Sequence, residues 1–384
     1  MNIPAEFDEI RPYTPEELPH IFEELTEDPA FQHILSAIMP NVSMDMFKMQ
    51  LKQCKTNLDF QKIFCYKFLQ DIIAKHSDGF DMDCTALTDK TKNYTFISNH
   101  RDIVLDPGFL SLGLIDNGFP TTVEIAIGDN LLIFDWIKKL VRVNKAFIVQ
   151  RALTMRQMLE SSARMSRYIH FSITQKKENI WIAQREGRAK DSNDRTQDSV
   201  LKMLAMGGEG DIIDRLQELN IVPLALSYEY DPCDYLKAME MQQKRDIEGF
   251  KKSKQDDLNN MQTGIIGYKG HVHFQAAACI NSELEALRTL PKTEIFTQVS
   301  ELIDRYIHRN YRLYPNNYIA LDLLTGSQHF ATQYTAEEQA HFKDYLAQRI
   351  DLINLPGKDE VFLRKCLLTM YANPAINHLN ALKV

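Results

Sequence analysis

The stretch YTFISNHRDIVLDPGFL, residues 94–110, decides how the chain folds. It opens on Tyr94, Thr95, Phe96 and Ile97 and runs directly into Ser98, Asn99 and His100. A short aromatic and β-branched run closed by polar residues reads as a buried strand ending in a loop, and Asp106-Pro107 sets a helix start nearby. Between strand and helix, His100 has two aspartates, Asp102 and Asp106, within six residues. Neutral imidazole can take a proton from a hydroxyl too weak to ionise by itself. A carboxylate on its other ring nitrogen fixes the tautomer and stabilises the imidazolium that forms. Both aspartates are near enough in sequence to do this.

Outward from that stretch, short strands alternate with helices. Strands are expected at residues 94–98, 122–127, 146–149, 180–183 and 221–227. Helical patterns fall at 107–115, 130–143 and 153–171, with two shorter pieces between 194 and 219. This order gives an α/β fold, a mainly parallel sheet flanked by helices, with ligands expected at the carboxyl ends of the strands. Before it, residues 1–92 read as a helical N-terminal region. Thr14-Pro15-Glu16-Glu17 makes a helix start, Phe60, Ile63, Phe64, Phe68 and Ile72 recur at helical spacing, and residues 77–92 form a loop into the middle. After Asp234 a long polar helix is expected to about Asn259, and then a further strand at 271–274. The α/β region thus spans residues 93–280, and 281–384 form a helical C-terminal region with Leu302, Ile303, Tyr306 and Ile307 on one face.

Hydrophobic residues at 44% and charged residues at 25% describe a globular protein, and no apolar run reaches the roughly eighteen residues a membrane span needs. The acidic start MNIPAEFDEIRPYTPEELPH lacks the apolar centre of a secretory signal. Six cysteines without paired spacing fit a reduced, cytoplasmic protein with neither a disulfide framework nor a zinc site. The net charge of −8 is uneven: residues 138–195 hold fourteen Lys or Arg against five Asp or Glu, so this stretch carries +9 and the rest −17. Such a concentration suits a phosphate-bearing partner. The helix expected at 130–143, with Trp136, Ile137, Leu140 and Val141 beside Lys138, Lys139 and Arg142, is amphipathic enough to lie on an anionic bilayer or against a core.

Several expected strands lead into charged loops. NKAFIVQR (144–151) exits at Arg151, and NIWIA (179–183) exits into QREGRAK, which holds Arg185, Glu186, Gly187, Arg188 and Lys190. Glycine beside arginine at a strand end lets the backbone approach an anion and supplies forked donors. The fifth expected strand carries Val222-Pro223. In this order the four segments resemble the glycerolipid acyltransferase superfamily, which includes glycerol-3-phosphate and 1-acylglycerol-3-phosphate acyltransferases. Its blocks are a His and Asp box, a Phe-Ile-x-Arg block, a Glu-Gly-x-Arg block and a Val-Pro block. The resemblance runs over residues 94–231 and takes in DNLLIFDWIKKLVRVNKAF (129–147) as the linker between the first two blocks.

The resemblance implies transfer of a fatty acyl group from an acyl-CoA or acyl carrier protein thioester to a hydroxyl of a phosphate-bearing glycerol or lysolipid. It implies no metal, other cofactor or nucleic acid, and a protein lying peripherally on a membrane surface. His100 is then the general base and Asp106 its orienting partner, with Asp102 the alternate because five residues, not the family's four, separate His100 from Asp106. Arg151 and Arg188 would bind the acceptor phosphate, Glu186 and Gly187 would shape the pocket, and Pro223 would shape the site or the donor region. Gly187 and Arg188 are adjacent where the family has one residue between, so Arg185 and Lys190 stand as substitutes. His100-Arg101-Asp102 also copies a kinase catalytic loop, but Pro107 occupies the position that loop gives to Asn. His271 and His273 alternate on one strand face without a third ligand, which favours ordinary strand histidines over a metal site.

Overall fold

The residues of 94–98 form a strand because both faces of that strand are buried. Phe96 and Ile97 point to opposite sides, are both fully buried, and enter two different apolar clusters. A strand covered on both faces reads as an unbroken apolar run rather than an alternation. The structure is a computed structural model describing residues 2–38, 42–151 and 154–383. Among these, seven strands form one sheet: β1 (Gly79–Asp83), β2 (Thr95–Ser98), β3 (Val123–Gly128), β4 (Ala146–Val149), β5 (Asn179–Ala183), β6 (Ile221–Tyr228) and β7 (His271–Ala276). Their order is β1-β7-β6-β2-β5-β3-β4. Every pairing is parallel except β6 with β7. β6, β2, β5, β3 and β4 therefore run one way and release their loops at one edge of the sheet, with β2 in the middle.

The helices Tyr66–His76 and Leu105–Asp116 cover one face through Leu69, Phe109 and Leu110. Helices Met155–Phe171 and Lys292–Arg309 cover the other through Tyr168, Ile169, Val299 and Ile303. The N-terminal helices close a third cluster around Phe22, Phe31, Phe60 and Phe64. Trp136 and Leu140 of the helix Asp135–Val143 pack against that cluster, and Lys139 bridges Glu24 at 3.0 Å. The C-terminal helices gather Ile319, Phe342, Leu346 and Leu367 around Tyr230 and Ala238, just beyond β6. No helix of the described residues is long and apolar enough to cross a membrane. All six cysteines are free.

Two expectations are corrected. β1 lies inside residues 77–92, expected as loop: its sequence Gly-Phe-Asp-Met-Asp is half-buried throughout and pairs on one side only, so no apolar run marks it. The long helix expected from Asp234 is two, Asp234–Asp246 and Lys254–Ile266. Gly249 takes a left-handed turn between them, and Ser253 with Asp256 forms a capping box that starts the second. The third expected helix begins at Met155, and Leu153, its expected first residue, lies outside the described residues.

Past the end of β2 the ladder continues through a side chain. Asn99 Nδ2 donates to the Leu226 carbonyl (2.9 Å) while its Oδ1 accepts from the Leu226 N–H (2.8 Å), both buried. This holds the chain against β6 at the residue before His100. Asn99→Ala strands both backbone groups of Leu226 without partners, and we expect a loss of about 2–4 kcal/mol in denaturant unfolding.

Candidate active site

His100 leaves β2 at the shared edge of the sheet, and its loop closes on Asp106 in the first turn of the helix Leu105–Asp116. The Asp106 carboxylate is fully buried. Its Oδ2 lies 2.8 Å from His100 Nδ1 and accepts the N–H groups of Arg101 (2.7 Å) and Asp102 (3.0 Å). Its Oδ1 accepts the Tyr228 hydroxyl at 2.9 Å. Burial and the Asp106 charge hold that phenol well above its ordinary range, so Tyr228 remains a donor. An ionised carboxylate only accepts, so Nδ1 carries the proton and Nε2 offers its lone pair. Nε2 has no protein partner among the described residues, and the side chain is 13% exposed. The ring stands edge-on to Trp181, 5.5 Å between centroids, whose indole N–H donates to Ser98 Oγ at 2.9 Å.

Asp102 does different work. Its Oδ1 accepts the N–H groups of Val104 (2.8 Å) and Leu105 (2.7 Å), satisfying donors at the helix start. Burial, then the Asp106 charge, raises its pKa. Its other oxygen lies against Gly264 of the helix Lys254–Ile266, with no room there for a Cβ. The geometry therefore assigns the imidazole contact to Asp106 and the helix cap to Asp102.

Behind the loop lie charges that the sequence did not disclose. Arg101 Nη2 is 3.2 Å from Asp194, which is fully buried, and Lys237, also fully buried, pairs with Asp231 and donates to the Arg101 carbonyl at 3.3 Å. These partners come from the β5 and β6 exits, dozens of residues from Arg101, so no local pattern shows them. Tyr228 could have been suspected only because the apolar run of β6 ends on it.

Arg151 and Glu186, from the exits of β4 and β5, meet at 3.0 Å, both in contact with solvent and Glu186 with 74% of its side chain exposed. Gly128 makes room for this, since a Cβ there would sit 2.8 Å from Arg151 Nε. Gly187 turns left-handed, φ 67°, and directs Arg188 inward, where the side chain is buried and donates to Asn260 Oδ1 at 3.0 Å. Arg185, Glu186, Gly187, Arg188 and Lys190 line one open pocket of about 460 Å3. Pro223 is in none of these groups: it pairs with Ile97 inside the sheet, below the loops. His273 Nδ1 and His271 Nε2 both face Asp81, at 2.6 and 3.3 Å. No group of three or more metal-ligating side chains occurs among the described residues.

The fold and site define an α/β protein with a buried-carboxylate histidine and a basic cavity at the carboxyl edge of its sheet. No protein-family model matches the chain, and no curated protein does. Among solved structures it is similar to the crystal structure of the 1-acyl-sn-glycerophosphate (LPA) acyltransferase, PlsC, from Thermotoga maritima. Identity is 11% and the TM-score 0.38, over 76% of this chain and 95% of that one, a distant likeness at the level of the fold.

The tautomer is directly measurable. In 15N NMR of the neutral imidazole, His100 should show a protonated Nδ1 and an unprotonated Nε2. Asp106→Ala should abolish that preference and Asp102→Asn should preserve it.

Proposed function

We propose that this protein is an acyltransferase moving a fatty acyl group from a thioester to the hydroxyl of glycerol-3-phosphate or 1-acylglycerol-3-phosphate. The observation that carries the reading is the imidazole held at Nδ1 by a buried carboxylate, with Nε2 unpartnered, on the sheet edge that also bears Arg151 and the Arg185 to Lys190 loop. The order of the four sequence blocks supports it.

His100 Nε2 takes the proton of the acceptor hydroxyl as its oxygen attacks the thioester carbonyl. The C–O bond forms, the C–S bond breaks, and the imidazolium returns its proton to the departing thiolate. Asp106 holds the ring throughout. Base catalysis of this kind supplies about 100- to 10,000-fold, so positioning by the cations supplies the rest. Of these, Arg151 and Arg185 are the more accessible, while Arg188 is held by Asn260. The donor is acyl-CoA or acyl carrier protein. The five-residue His–Asp spacing favours, as the second reading, a lipid- or phosphate-binding relative without turnover, and an amino lipid or other lysolipid acceptor belongs to the same assay.

Contact with a membrane surface is part of the proposal. Trp136 and Leu140 pack inward, so the supporting side chains are Phe134, Met155, Met158 and Leu159, all exposed. Met155, Met158 and Leu159 share one helix face at i, i+3 and i+4. Co-sedimentation with anionic vesicles should fall on raising salt and again in a Met155→Glu, Leu159→Glu protein. Equal sedimentation of that variant would remove this surface from the proposal.

The decisive assay offers labelled acyl-CoA and acyl carrier protein with glycerol-3-phosphate, lysophosphatidate and amino lipids. Wild type should form product and His100→Ala none. Asp106→Asn should lose on the order of 1,000- to 10,000-fold in kcat, as happens when an orienting aspartate is neutralised. Asp102→Asn should lose under about tenfold, since its amide oxygen still caps the helix. Absence of product from folded wild type with every pair would favour the binding reading.

A further inference from the structure

Behind the His100 loop a cavity of about 30 Å3 is lined by Arg101, Ser227, Asp231, Tyr311 and Arg312 among others. It is separate from the pocket at the β5 exit, and none of residues 185–190 lines it. Tyr311 comes from the C-terminal region, two residues past the helix Lys292–Arg309.

Its walls hold buried polar atoms that the protein leaves without partners. Arg101 is 7% exposed and Tyr311 5%. Neither Nη1 of Arg101 nor the Tyr311 hydroxyl has a hydrogen-bond partner among the described residues. The pairing of Arg101 with Asp194 is one of charge: at 3.2 Å it is not aligned as a hydrogen bond, and both Asp194 oxygens are likewise without one. Burial holds the Tyr311 phenol above its ordinary range, so it keeps its proton. Ser227 Oγ accepts the Arg312 N–H at 3.0 Å and has its own proton left to give. Buried polar groups are seldom left in this state.

The charges around the cavity decide what completes them. Arg101 is matched by Asp194, Lys237 by Asp231, and Arg312 by Asp81 at 2.8 Å. Beyond Asp231, Arg188 also faces Asp102. With each cation matched, no surplus charge recruits an ion. What fits is a neutral molecule that accepts from Arg101 and Tyr311 and donates to a carboxylate, and there is room for about two waters.

We propose that this cavity is an ordered-water site and that Tyr311, acting through it on Arg101, is a positioning residue for the His100 loop. Arg101 follows His100; its N–H donates to Asp106 Oδ2 at 2.7 Å and its carbonyl accepts from Lys237 at 3.3 Å. Water bridging its Nη1 to the Tyr311 hydroxyl fixes the guanidinium, and with it the backbone that grips the Asp106 carboxylate. The proposal holds for any reaction His100 performs, so it stands or falls apart from acyl transfer.

Two measurements on the full-length protein test it. In its crystals, density for water should join Arg101 Nη1 to the Tyr311 hydroxyl. A dry cavity, or an anomalous peak there after a sodium bromide soak, overturns the water site. Amide hydrogen exchange reads the positioning. The Arg101 and Asp102 N–H groups, both held by Asp106, should exchange faster than the amides of β5 because the loop opens locally. Tyr311→Phe, which changes no charge, should speed them about tenfold, the scale of one hydrogen bond, and leave the locally opening amides of the helix Leu18–Glu27 at wild-type rates. A hydroxyl that only adds to global stability would speed the β5 amides and not the loop. That result overturns the role, as do loop amides that exchange only together with β5. If Tyr311→Phe does not fold, Arg101→Lys, which keeps the charge and withdraws Nη1 from the cavity, carries the same comparison.

Discussion

A carboxylate cut off from water needs donors on both oxygens, and Asp106 draws them from four places: the His100 ring, two consecutive backbone N–H groups of its own loop, and the Tyr228 hydroxyl. Each contact fixes something different. The ring bond sets the tautomer, the two N–H bonds wrap residues 100–102 around the carboxylate, and Tyr228 ties the assembly to β6. An unpaired buried carboxylate would cost several kcal/mol, so these restraints act together. The position of Nε2 is a consequence of satisfying Asp106. For the proposed acyl transfer this would be preorganisation, since little has to move for the ring to accept a proton.

Much of this was legible in the sequence, for identifiable reasons. The central strands are apolar runs bounded by polar residues, and β2, β4 and β6 lie within a residue or two of their expected limits. β1 was hidden because an edge strand of alternating acids resembles a loop. The break between Asp246 and Lys254 was written in Gly249 and in the Ser253 to Asp256 spacing, a local signal weaker than the polar helical texture around it. Sequence could not choose between Asp102 and Asp106, because both lie within reach of His100 along the chain. The helix geometry chooses: one residue supplies the cap and the other presents its carboxylate from the first turn. Periodicity likewise showed that the helix expected at 130–143 has an apolar side without showing what covers it. Trp136 and Leu140 found the N-terminal helices.

The arginine loop shows what spacing leaves undetermined. Glu186, Gly187 and Arg188 are adjacent in sequence and diverge in space, because the left-handed turn at Gly187 separates an exposed carboxylate from a buried guanidinium. Glu186 then serves Arg151 at the mouth, while Arg188 serves the interior beside Asn260. Of the two arginines implied as phosphate ligands, Arg151 sits in a solvent-exposed ion pair and Arg188 is a buried cation. Exposed pairs of the first kind contribute about 0–1 kcal/mol to stability, so Arg151 can exchange Glu186 for a ligand at little cost. Arg188 cannot leave its place so cheaply.

The helical C-terminal region reaches this chemistry through a chain of buried polar contacts. Asp234, fully buried at the start of its helix, accepts the hydroxyls of Tyr345 (2.7 Å) and Tyr371 (2.8 Å) and the guanidinium of Arg349. Tyr371 Oη also accepts the Asp231 N–H at 3.2 Å, and Asp231 holds Lys237, which donates to the carbonyl of Arg101, the residue after His100. A second tie runs from Asn373 to the Asp191 carbonyl (2.7 Å) and from Arg195 to Asn377 (3.0 Å), fixing the β5 exit. The β2 loop, the β5 exit and the β6 exit are thus referenced to one pair of helices packed beyond the sheet. Three loops are anchored to the same two helices, and the buried polar groups that do it tolerate few alternative arrangements. The tail therefore acts on the imidazole by limiting where its loop can go.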